Sequence, residues 1–167
     1  MTFVGKVAVV TGAASGMGAA TAREFVAQGG QVILVDRNAP LAAQVANEIN
    51  SGPPVVGDVG NAAFCKQAVE AALARHGRLD VLVNAAGIIV RADALNTSDE
   101  QWQRIMDVNV KGLFFMSRAA VSHMKSVGQG AIVNFGSIWG TVGAAGAVAY
   151  CASKGAVHQI TRAMALD

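Results

Sequence analysis

The stretch Lys6–Gly18, KVAVVTGAASGMG, decides the fold. Its first half, Lys6–Thr11, is apolar and β-branched with no polar alternation. Such a run reads as a strand covered on both faces, which is the habit of parallel sheets. Its second half, Thr11-Gly12-Ala13-Ala14-Ser15-Gly16-Met17-Gly18, sets three glycines in a turn that opens a helix. Glycine there allows a tight turn and close approach of the backbone to a pyrophosphate. The helix N-terminus adds unpaired N–H groups and the positive end of a dipole. Gly12, Ser15, Gly16, Met17 and Gly18 are therefore candidate cofactor-binding positions. Glycine turns are common in α/β proteins, so the strand before and the helix after supply the weight.

Outward from this unit the pattern repeats. Gln31–Asp36 reads as a second strand, Pro53 to Asp58 as a short third, Asp80–Asn84 as a fourth and Ala131–Phe135 as a fifth. Helical stretches separate them: the glycine turn to about Gln28, Pro40 to about Ile49, Asn61–His76, and one long helix over Asp99–Val127. Ser98 with Gln101 three residues on predicts a capping box at the start of the long helix. Tyr150 to the chain end is a further helix. Apolar strands alternating with helices predict a doubly wound parallel sheet with helices on both faces, in the strand order 3-2-1-4-5. At 167 residues the chain reads as a single dinucleotide-binding domain over 1–167.

Asp36 closes the second strand eighteen residues beyond Gly18. That is near the spacing of about 20 for an acid that binds an adenosine ribose. A carboxylate there repels a 2′-phosphate and favours NAD over NADP. The neighbouring Arg37 points the other way, since an arginine can hold that phosphate, and a solvated strand-end aspartate is the bland reading of Asp36.

The chain's one tyrosine, Tyr150, stands four residues before Lys154 and thirteen after Ser137. On a helix, residues four apart share a face. A phenol titrates near ~10 in water, and an adjacent cation favours the phenolate. Tyr-x-x-x-Lys arises by chance in many helices, and it gains weight here from the glycine turn at the other end of the chain.

Composition excludes several classes. The net charge of +2 comes with scattered basic residues, which argues against nucleic acid. No apolar run is long enough for a membrane span. Cys65 and Cys151 form no C-x-x-C pair, and His76, His123 and His158 lack metal-ligand spacing, so no metal site is expected. A reducing, cytoplasmic compartment fits.

Taken in order, T-G-x-x-x-G-x-G at Thr11–Gly18, N-A-A-G at Asn84–Gly87, Ser137 and Tyr150-x-x-x-Lys154 resemble the short-chain dehydrogenase/reductase family across essentially the whole chain. Asp58-Val59 resembles the family's adenine-contacting pair, and Asn109 lies in an N-V-K-G stretch like that of its fourth catalytic residue. The resemblance implies hydride transfer between a nicotinamide cofactor and a small alcohol or ketone. It makes Tyr150 the general acid/base, Lys154 the cation beside it and a ligand of the nicotinamide ribose, and Ser137 the residue that positions the substrate oxygen. Asn109 would hold a water linking Lys154 to solvent. Asn84, Ala85 and Gly87 would line the cofactor. A homo-oligomer, dimer or tetramer, is implied through the Asp99–Val127 and Tyr150–Leu166 helices. Ala85 replaces the family's second asparagine. Family members run to about 250 residues, so the C-terminal strands and substrate lid are expected to be missing, with poor turnover by residues 1–167 alone. An NADPH-dependent 3-oxoacyl reductase and an inactive nucleotide-binding or oligomerisation module are the competing readings. The glycine spacing disfavours a sugar-nucleotide epimerase.

Overall fold

The computed structural model describes residues 2–167. Five parallel strands form one sheet in the order β3-β2-β1-β4-β5. They are β1 (Val7–Thr11), β2 (Gln31–Asp36), β3 (Val55–Val56), β4 (Val81–Asn84) and β5 (Ala131–Asn134). The expected order is the observed one. β1 is central, pairing Val7 with Gln31 on one side and Ala8 with Val81 on the other. All five of its residues are buried, as the unbroken apolar run requires.

Alternate strand residues feed two cores. Val7, Val9, Ile33, Val35 and Leu82 pack on α3 (Ala62–His76) and α5 (Leu113–Val127). Ala8, Val10, Val32, Leu34 and Val83 pack on α1 (Gly16–Ala27) and α2 (Ala39–Ile49). Phe25 of α1 is buried and stacks on Phe3, with ring centroids 4.3 Å apart. Each large apolar side chain so covered contributes about 1.5–3 kcal/mol.

Local sequence explains the helix ends. The Asn38 side chain accepts from Leu41 N–H to cap α2, and Asn61 accepts from Ala63 and Phe64 to cap α3. Gly77 ends α3 in the left-handed region, where a Cβ is disfavoured. The Ser98–Gln101 capping box forms at α4 (Asp99–Met106).

Two elements differ from the sequence reading. β3 is two residues long, because Pro53 and Pro54 have no N–H to give a ladder. The helix expected over Asp99–Val127 is split by a π turn at Asp107–Gly112. Its cause is tertiary: Asn109 is pulled onto the loop after β4, and Gly112 lies against Val59, whose Cγ2 is 2.6 Å from where a Cβ would stand. A short 3-10 turn (Ile138–Gly140) follows β5, and α6 (Val148–Met164) completes the chain. Among the described residues no helix is long and apolar enough to cross a membrane.

Candidate active site

The C-terminal ends of β1, β2 and β4 open into a cleft of about 370 Å³. It is lined by Gly12, Ser15, Gly16, Met17, Gly18, Asp36, Arg37, Asp58, Val59, Ala85 and Gly87. All eleven were singled out in the sequence. Val35, Gly57, Ala86, Ile88 and Val108 join them, Ala86 from within the N-A-A-G stretch itself.

The glycine turn is shaped by contact. Gly12 has φ +65°, and a Cβ on it would lie 2.8 Å from the Ala86 backbone. A Cβ on Gly18 would lie 2.2 Å from the Gly12 carbonyl oxygen, so α1 starts directly on the turn. Ser15 precedes α1 in extended conformation without capping it, which leaves its hydroxyl uncommitted. The first N–H groups of α1 lack intrahelical partners, as in any helix. Together these form an anion cradle that a side chain at Gly12 would fill. The donor set fits the pyrophosphate of a dinucleotide.

Asp36 both faces the cleft and braces the turn. Its Oδ2 accepts from Ala14 N–H at 3.0 Å and its Oδ1 from Asn38 N–H at 2.9 Å. Arg37 is exposed beside it. Asp58 accepts from Gly60 N–H at 2.8 Å, which turns the chain away from β3. Thr11 joins this strand end to the loop after β4. Its Oγ1 accepts from Ala85 N–H at 3.2 Å and Ala86 N–H at 3.1 Å.

Asn84 stands apart from the cleft. It is buried, and its Nδ2 donates to Ser117 Oγ at 3.0 Å and Asn134 Oδ1 at 2.9 Å. Asn134 in turn donates to Thr161 Oγ1 at 2.9 Å, so a polar chain ties β4, β5, α5 and α6 together. No sequence motif marked Asn134, Ser117 or Thr161.

The second half of the site meets the cleft at Gly87. A Cβ there would lie 3.4 Å from Asn109 Oδ1 and 3.8 Å from Lys154 Nζ. Lys154 and Tyr150 share one face of α6, with Nζ 5.8 Å from the tyrosine ring centroid. Lys154 is buried, donates to the Phe135 carbonyl, and has its pKa lowered by that burial. Asn109 is buried in the π turn. Its Oδ1 accepts from Ile88 N–H at 2.8 Å, and its Nδ2 donates to Ile88 C=O at 2.9 Å and Ser153 Oγ at 3.0 Å. Ser137 precedes the 3-10 turn, and its Oγ accepts from Trp139 N–H at 3.2 Å. That leaves the hydroxyl proton free to donate elsewhere. The Trp139 ring meets Tyr150 edge-on, with centroids 5.9 Å apart, and Arg91 lies over its face at 4.7 Å. Ile138 and Ile89 are exposed. Among the described residues no cluster of three or more His, Cys, Asp or Glu is placed to hold a metal.

A doubly wound parallel sheet with a glycine-turn cleft at the C-terminal ends of its strands is the architecture of dinucleotide-binding proteins. A family model described as short chain dehydrogenase matches residues 6–167, and the chain belongs to that family. It is 41% identical over 169 residues to meso-2,3-butanediol dehydrogenase of Serratia marcescens, covering 100% of this chain and 67% of the relative. It is 44% identical over 168 residues to galactitol 2-dehydrogenase (L-tagatose-forming) of Cereibacter sphaeroides, covering 98% and 65%. A crystal structure of 3-ketoacyl-(acyl-carrier-protein) reductase from Brucella melitensis complexed with NADH superposes with a TM-score of 0.92 at 38% identity, covering 98% of this chain and 69% of that one. The chain thus spans about two thirds of the length of the proteins it matches.

Proposed function

We propose that the chain supplies the dinucleotide-binding domain and the reacting groups of an oxidoreductase that interconverts a secondary alcohol and a ketone. The observation that carries this is the placing of Tyr150 and Lys154 on one face of α6, at the Gly87 end of a cleft built for a dinucleotide. Two relatives named as dehydrogenases of hydroxyl compounds support it.

The cleft residues bind the cofactor's phosphates at the α1 N-terminus, its adenosine ribose at Asp36, and its adenine near Asp58 and Val59. When bound, nicotinamide takes or gives the hydride. Ser137 donates its free hydroxyl proton to the substrate oxygen. Tyr150 removes the alcohol proton in oxidation and returns it in reduction. Lys154 stands beside the tyrosine ring and reaches the nicotinamide ribose. Asn109 retains one free lone pair on Oδ1. That lone pair would hold a water beside Lys154.

NAD is favoured over NADP because Asp36 faces the adenosine end with a negative charge. The NADH-bound neighbour supports this, whereas exposed Arg37 favours the competing NADPH reading and that neighbour's name as a 3-ketoacyl reductase favours 3-oxoacyl reduction. Two free thiols fit a reducing cytoplasm. Half-exposed Trp102 and Phe114 on α4 and α5 support a homo-oligomer through those helices.

The test is turnover of secondary alcohols followed at the nicotinamide absorbance, with Tyr150→Phe alongside. The phenylalanine variant should bind NADH normally and lose on the order of 100- to 10,000-fold in kcat. NAD should bind at least roughly tenfold, or about 1.4 kcal/mol, tighter than NADP, and Asp36→Asn should narrow that gap. Full turnover by Tyr150→Phe overturns the mechanism, and tighter binding of NADP overturns the cofactor choice.

A further inference from the structure

The loop that carries Ser137 is held to α6 by a side chain outside every motif. His158 lies one turn beyond Lys154, and its ring spans the two ends of the 3-10 turn. Ser137 N–H points at Nε2 at 3.4 Å, and Thr141 Oγ1 lies 3.4 Å from Nδ1. A backbone N–H can only donate, so Nε2 is the acceptor and the ring proton sits on Nδ1, where it donates to Thr141 Oγ1.

The surroundings are built around this ring. Gly136 leaves it room, since a Cβ there would stand 2.6 Å from Nε2. Gly140 seats the far end of the turn on the helix backbone, where its Cβ would lie 2.5 Å from the Lys154 carbonyl carbon. The Ser137–Thr141 segment also carries Trp139, the ring that meets Tyr150. Gly140 fixes the turn from one side and His158 ties both its ends.

We propose that His158 is a positioning residue of the reaction: an Nδ1-protonated imidazole that clamps the Ser137 backbone and so sets the serine hydroxyl and Trp139 against Tyr150. This rests on the reading of Ser137 and Tyr150 as the reacting pair. The clamp acts on the alcohol oxygen's position and leaves the dinucleotide cleft alone, because no residue of the 3-10 turn lines that cleft.

The test compares His158→Leu with His158→Gln in the purified protein. Leucine fills the space without an acceptor, whereas the glutamine carbonyl can reach Ser137 N–H. The leucine variant should lose roughly 10- to 100-fold in kcat, as expected for misplacement by about an ångström. Its NADH dissociation constant, read by fluorescence, should stay within about twofold, and glutamine should restore kcat to within about threefold of the parent. Parental kcat in the leucine variant, or a glutamine variant as slow as the leucine one, overturns the clamp.

A second readout does not depend on turnover. Nitrogen NMR of the parent at a pH where the ring carries one proton should show His158 as the Nδ1–H tautomer, and the Nε2–H tautomer overturns the proposal. If no secondary alcohol is oxidised at all, the functional reading fails while the tautomer still decides the clamp.

Discussion

Burial acts on two side chains near the site in ways that can be measured. Lys154 holds an ammonium in a covered place, and burial pushes its pKa below the ordinary 10.5. The folded state is thus penalised for carrying that charge at neutral pH, and the penalty is relieved as pH rises through the depressed value. Lys154→Met keeps the stem and removes the charge. Its melting temperature at pH 7 should equal or exceed the parent's, while turnover falls at least roughly 100-fold. A clear drop in melting temperature would show that the ammonium stabilises the fold. Cys65 illustrates the same physics in a thiol. It is fully buried, donates from Sγ to Val59 C=O at 3.1 Å, and burial, with Asp58 nearby, pushes it up to about 11. Native protein treated with iodoacetamide at neutral pH should be labelled at half-buried Cys151 and spared at Cys65 until it unfolds. Mass spectrometry that finds Cys65 labelled first would contradict this. Much of the site was readable at this scale because the glycine turn, Asp36 and Tyr-x-x-x-Lys are local patterns. His158 was not, since it meets Ser137 across 21 residues and nothing in its neighbours marks it. Asn84 carried a motif yet turns inward to Ser117 and Asn134, a direction that spacing does not encode.

Strands of a buried parallel sheet are continuous apolar runs, so β2 falls where its sequence says at both ends, and the strand order is the one expected of a doubly wound sheet whose first strand leads into a glycine turn. The π turn within the long helix lay beyond such reading, because the apolar period does not report which carbonyl each N–H finds. It arises where Asn109 answers the Ile88 backbone and Gly112 admits Val59. π turns inside helices cluster at functional positions, and here the turn aims Asn109 at Gly87. Gly112→Ala tests this link. The added methyl would stand 2.6 Å from Val59 Cγ2 and 3.1 Å from its Cβ, closer than carbon atoms tolerate. Overpacking of this kind destabilises by about 1–3 kcal/mol. Because Val59 also lines the cleft, NADH binding should weaken together with stability. Urea denaturation and NADH titration on one preparation check both. An unchanged dissociation constant alongside lost stability would separate the π turn from the cofactor site.

Across the molecule, chemistry gathers at one end of the sheet and stability at the other. The cleft opens at the C-terminal ends of the strands. At their N-terminal ends Asp80 joins three strands. Its N–H donates to Val7 C=O, its own C=O accepts from Ala131 N–H, and its side-chain Oδ2 accepts from Val7 N–H at 2.9 Å. Arg78 pairs with the same carboxylate at 2.8 and 2.6 Å, and Lys6 at 3.2 Å. Burial alone would raise this carboxyl, but the hydrogen bonds from Arg78, Val7 and Lys6 outweigh it and hold the pKa at about 2, against an ordinary 3.8. A carboxyl with a depressed folded pKa stabilises the fold in full above its unfolded value and loses that contribution as pH falls through the folded one. Stability should therefore decline between roughly pH 4 and pH 2 through this group. Asp80→Ala removes the acceptor of Val7 N–H, which is buried, whereas Arg78 and Lys6 are each 43% exposed and regain water. The loss at neutral pH should be about 2 kcal/mol, the cost of one unpaired buried donor. The variant's stability should also vary less with pH over that acid interval. NADH affinity should not change, because the cluster stands at the far end of the strands from Gly12 and Gly87. Urea midpoints at pH 7 and in mild acid, with an NADH titration beside them, decide the matter. A variant as acid-sensitive as the parent would mean that other carboxylates carry the acid response, and weakened NADH binding would mean that the two ends of the sheet are coupled.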